Sequence, residues 1–64
     1  MTNEEVHEIL NQLKRGEVSE YHVSKEEFLT FRQVLVNRED FKHFRGIAQR
    51  GGEVVYHYIE NARS

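Results

Sequence analysis

The sequence predicts a small single α+β domain of order α-β-α-α-β, in which a two-stranded antiparallel ribbon staples three helices. Two observations carry that expectation. Three times a cap residue is followed three positions on by a carboxylate and then an apolar residue, in Thr2-x-x-Glu5-Val6, Ser24-x-x-Glu27-Phe28 and Asn37-x-x-Asp40-Phe41. Each cap also follows an apolar residue, Met1, Val23 or Val36, which completes a capping box with a hydrophobic staple and marks a helix start. The stretches opened by Gly16 and Gly52 are rich instead in β-branched and aromatic residues and read as strands.

The first helix is expected from Asn3 to Arg15, where Val6, Ile9, Leu10 and Leu13 form one apolar stripe and Gly16 supplies the stop. Glu4, Glu5 and Glu8 near its start and Lys14 and Arg15 at its end complement the helix dipole. A solvated helix start explains this acidic cluster better than a catalytic pair, which would also need a pocket. Glu17 to Val23 reads as the first strand. The second helix is expected over Lys25 to Val36, with Phe28, Phe31 and Leu35 as its main buried face and Leu29, Val34 and Val36 widening it. A third helix is expected from Arg38 to Gly51, carrying Phe41, Phe44, Ile47 and Ala48 as its stripe and Gly46 in its interior. Glu53 to Ile59 closes the chain as the second strand, which needs a strand partner for its backbone groups.

At 64 residues the core is thin, and a chain of this size buries only about 60% of its unfolded surface. Domains of this kind add a disulfide, a metal or a second subunit. The chain has no cysteine, so oligomerisation is the available supplement and a homodimer or protein partner is expected. The polar, acidic start resembles no secretory signal, and no apolar run approaches the ~20 residues of a membrane span. The expectation is a cytoplasmic protein with no membrane partner. The formal charge of −2 is unevenly spread: residues 1–32 hold seven acids and four bases, residues 33–64 four acids and five bases.

In the third helix Arg38, Lys42, Arg45 and Gln49 recur at helical spacing, away from Phe41, Phe44 and Ala48, with His43 and Arg50 beside them. Such a face can donate to base edges and neutralise phosphates. Set against that, charged residues on an outer helix face are ordinary, and Glu39 and Asp40 dilute this one. Two helices with a tight connection, the second basic and followed by glycines and a strand, resemble the helix-turn-helix of winged-helix domains. That resemblance implies nucleic-acid binding through the third helix.

His22 and His57 fall in the two strands, where pairing would bring them together for a metal, with Glu20 or Glu53 as a third ligand. No metal-binding spacing accompanies them, and strand residues at the water boundary are the simpler reading, so no metal or other cofactor is expected. No phosphate loop is present, Ser24 is accounted for as a cap, and no small-molecule substrate is evident. Tyr21, Tyr56 and Tyr58 can serve either as core cover or as a protein interface, where tyrosine packs its ring and keeps its hydroxyl wet. The leading expectation is therefore a small non-enzymatic protein acting by protein–protein binding or self-association. Nucleic-acid binding through the third helix stands second and a metal site at the strand histidines third.

Overall fold

A computed structural model describes residues 1–61 of the chain. The first capping box forms in full: the Thr2 amide donates to Glu5 Oε1 at 2.8 Å, and the Glu5 amide donates to Thr2 Oγ1 at 3.1 Å. Those bonds, the Thr2 amide first, hold the Glu5 carboxyl below its ordinary range. Helix α1 runs from there over Asn3–Arg15 and closes on Gly16, whose left-handed φ of 77° suits glycine. Val6, Leu10 and Leu13 are its buried face.

Strand β1 is Tyr21–Val23 and helix α2 is Phe28–Val36. The second helix starts three residues later than its capping signal suggests. The Ser24 hydroxyl lies against the Glu27 carboxylate, 3.0 Å apart, instead of accepting the Glu27 amide, so residues 25–27 form a turn. Phe31, Val34 and Leu35 point into the core.

The third helix does not form, and this overturns the expected three helices and two-stranded ribbon, together with the resemblance to a winged helix. The fold holds two α-helices and a three-stranded sheet among the described residues. Asn37 ends α2: its backbone amide donates back to Val34, and its side-chain amide donates to the Gln33 carbonyl at 2.7 Å. Asp40, the expected reciprocal acid, is held by Arg38. With neither half of the box formed, residues 41–43 make a single 3₁₀ turn and the chain enters strand β2, Phe44–Ala48. A second 3₁₀ turn at Arg50–Gly52 leads into strand β3, Val54–Tyr58. Gly51 and Gly52, with φ of 81° and 90°, turn a β-hairpin rather than stop a helix, and the Gln49 amide donates to the Glu53 carbonyl at 2.7 Å across its mouth.

All three strands are antiparallel in the order β1-β3-β2. The first and last strands do pair, as Tyr21↔Tyr56 and Val23↔Val54, and β2 takes the other side of β3 through Phe44↔Tyr58, Gly46↔Tyr56 and Ala48↔Val54. One sheet face carries these side chains toward the helices. The opposite face carries His22, Arg45, Ile47, Val55 and His57. Val55 is buried on that outer face because it sits mid-sheet between His22 and Ile47. The core packs α1 and α2 against the inner face around Phe31, Phe44, Leu10, Val6 and Val23.

Candidate functional site

The residues expected to share a basic helix face are distributed over five separate places. Arg38 lies in the turn after α2, Lys42 in the first 3₁₀ turn, Arg45 on the outer face of β2, Gln49 just beyond β2, and Arg50 in the hairpin turn. Arg38 has a structural task. Its guanidinium donates to both Asp40 oxygens at 2.9 and 3.1 Å, to Asn11 Oδ1 at 2.8 Å, and toward His7 Nδ1 at 2.9 Å. An arginine can only donate, so His7 Nδ1 accepts. This network ties α1 to the end of α2, and Arg38 is only 14% exposed. The hydrogen bonds from Arg38 hold the Asp40 carboxyl below its usual range, with Lys14 adding a weaker attraction at 3.9 Å.

The strand histidines are not brought opposite one another. His22 faces Val55 and His57 faces Arg45. His22 contacts Glu20 at 2.6 Å in an exposed pair, and among the described residues no group of three or more histidines and acids is placed to hold a metal.

The three tyrosines divide. Tyr56 is buried and packs on Phe31 with ring centroids 4.9 Å apart; Tyr21 also stacks on Phe31, at 6.0 Å. Tyr58 stacks on His43 at 5.3 Å and meets Phe44 edge-on at 5.2 Å. The His43 ring is fixed in turn by donating from Nδ1 to the Ile59 carbonyl at 2.9 Å. Tyr21 and Tyr58 are half-buried by these contacts.

The more distinctive surface is one that reading for a third helix concealed. Helix α2 does not cover β2, and between them lies an open groove of about 460 Å³. Phe28, Leu35 and Val36 from α2 and Phe41 from the turn form one wall; Phe44, Gly46 and Ala48 of β2 with Tyr56 form the floor; Arg32 supplies the cation at its rim. Gly46 is required there. A Cβ on it would lie 2.9 Å from Tyr56 Cε1 and 3.1 Å from Val54 Cγ1, so the Tyr56 ring lies across the glycine and fills the place of its missing side chain. Val36 is 41% exposed beside the groove, and Ile47, on the other face of β2, is 39% exposed. Leu29, 68% exposed, shares the outer face of α2 with Arg32 and Val36 by helical spacing. The width of the apolar face of α2 was legible in the sequence; its neighbour β2 was not.

These features define a small α+β protein with one sheet face covered by helices and an apolar flank left open. Residues 3–57 match the YkzS-like protein family, and the chain belongs to that family. No curated protein and no solved structure matches it. No helix among the described residues is long and apolar enough to cross a membrane.

Proposed function

We propose that this protein is a non-catalytic binding protein that works by protein–protein contact or self-association through the flank where α2 and β2 diverge. The observation that supports this reading most is the groove itself: an apolar trough with one arginine on its rim, bordered by the exposed Val36 on one side and the edge strand β2 on the other. Apolar and aromatic side chains with an arginine are the composition of interface anchors. Of the three tyrosines, Tyr56 takes part by lining the groove, while Tyr21 and Tyr58 brace the core behind it.

The test is a single charge placed in the trough. Val36→Asp should leave the melting temperature nearly unchanged, because Val36 is substantially exposed, and should abolish any association the wild type shows. Sedimentation velocity and affinity capture with the purified chain read this directly. A wild type that stays monomeric and captures nothing that Val36→Asp fails to capture overturns the reading.

A further inference from the structure

Strand β2 is an edge, and its free side has a specific hydrogen-bonding pattern. The Gln49 amide bonds Glu53 and the Ile59 amide bonds the His43 carbonyl, each at 2.7 Å. Antiparallel alternation from these two points turns the backbone of Arg45 and Ile47 toward β3, and that of Phe44, Gly46 and Ala48 outward. The Phe44 amide is already taken by the Phe41 carbonyl. Among the described residues two complete donor–acceptor sets therefore remain on the open edge, at Gly46 and Ala48, symmetric about Ile47. The edge also lacks the usual protections: β2 has no proline, no bulge and one charged residue, Arg45.

We infer that the partner at this flank is a second copy of the chain, joined by antiparallel β2–β2 pairing about a two-fold axis at Ile47 to give a continuous six-stranded sheet. This rests on the reading of the flank as an interface and names its occupant. In that register Gly46 of each copy exchanges both backbone bonds with Ala48 of the other, four bonds in all, and both complete donor–acceptor sets of the edge are used. The two Ile47 side chains meet as a close non-hydrogen-bonded pair, which covers exposed apolar surface on the outer face. Arg45 lies opposite Gln49 of the second copy, a partner it can donate to. The two Arg45 residues stand about 13 Å apart along the strand direction, so like charges do not meet. A register centred on Gly46 would instead call on the Phe44 amide that is already bonded and would bring the two arginines to diagonal positions. On the inner face, Gly46 beside Ala48 keeps the seam low, so the two grooves merge into one trough between the two α2 helices.

The chain has no cysteine, which gives the register a direct readout. In Ile47→Cys the two Cα atoms fall about 4.5–5.5 Å apart, within disulfide reach, whereas in Arg45→Cys they do not. Treatment with diamide at micromolar protein should convert Ile47→Cys to a disulfide-linked dimer and leave Arg45→Cys monomeric on a non-reducing gel. Sedimentation should show the wild type as a dimer. Ala48→Pro removes an outward amide without touching a bond to β3 and should weaken the dimer about ten- to a hundredfold. Ile47→Lys, which opposes two cations at the axis, should give a folded monomer. A wild type that remains monomeric, or equal cross-linking of both cysteine variants, overturns the inference. If the wild type is monomeric yet captures a partner that Val36→Asp loses, only the pairing fails; if that capture is missing too, the reading beneath it fails with it.

Discussion

Arg38 shows how much one side chain of this protein holds together. It is nearly buried and reaches Asp40 through two bonds, Asn11 and His7 on α1, so the first helix and the end of the second are tied at one guanidinium. Asp40 is 15% exposed and its carboxyl is held below the ordinary range, chiefly by the bond from Arg38. A carboxyl whose folded pKa is depressed contributes stability that is present above its unfolded pKa, about 3.9, and is lost as pH falls through the lower folded value. Asp40→Asn should therefore cost about 1–3 kcal/mol at pH 7, as expected for losing a charge-assisted pair, and should flatten the decline of stability below pH 4. Urea unfolding of both proteins across that range measures it, and an equal slope for the two would refute the assignment. The sequence could not place Arg38 here. Its spacing to Lys42 and Arg45 fitted a helix face equally well, and what decided the matter was Asp40 two residues on, with Asn11 and His7 from a distant segment.

At the scale of elements, Gly46 separates the two ways of folding residues 38–51. Inside a helix, Gly46→Ala would stabilise by roughly 1 kcal/mol, because alanine is the better helix former. In β2 the new methyl meets the Tyr56 ring at 2.9 Å, and Tyr56 is too deeply buried to swing aside, so the same change should destabilise by about 1–3 kcal/mol. The sign of that difference in thermal or urea unfolding tests the strand. The first helix was fully legible, since Thr2, Glu5 and Gly16 act only on neighbours within a turn. The third start was misleading because Asn37 fits a helix end as well as a helix beginning, and its amide closes α2 on Gln33. Two signals pointed the other way. Residues 54–58 are apolar or aromatic on both faces at Val55 and Tyr56, as befits a central strand with two neighbours, while β1 spans only three residues. Arg50-Gly51-Gly52 between two β-capable runs also has the length of a hairpin loop. The groove was illegible for the same reason, since its floor is β2.

At the scale of the whole molecule, a thin core and an open flank are two sides of one arrangement. Two helices can cover only part of a three-stranded sheet, and the uncovered part is the β2 side, where apolar lining and free backbone groups coincide. If that flank is closed by a second copy, association is linked to folding, and stability depends on concentration. Each tenfold rise in protein above the dissociation constant is worth about 1.4 kcal/mol per dimer, so a hundredfold rise adds about 1.4 kcal/mol per chain. For a domain of this length that amounts to a rise of several degrees in melting temperature. Ala48→Pro, which keeps every bond to β3, should show no such dependence within the range where it is monomeric and should approach the wild type on dilution. Calorimetry at two concentrations a hundredfold apart separates the cases: an unchanged wild-type melting temperature would mean that a second chain adds nothing to the stability of the two helices, the sheet and the core they enclose.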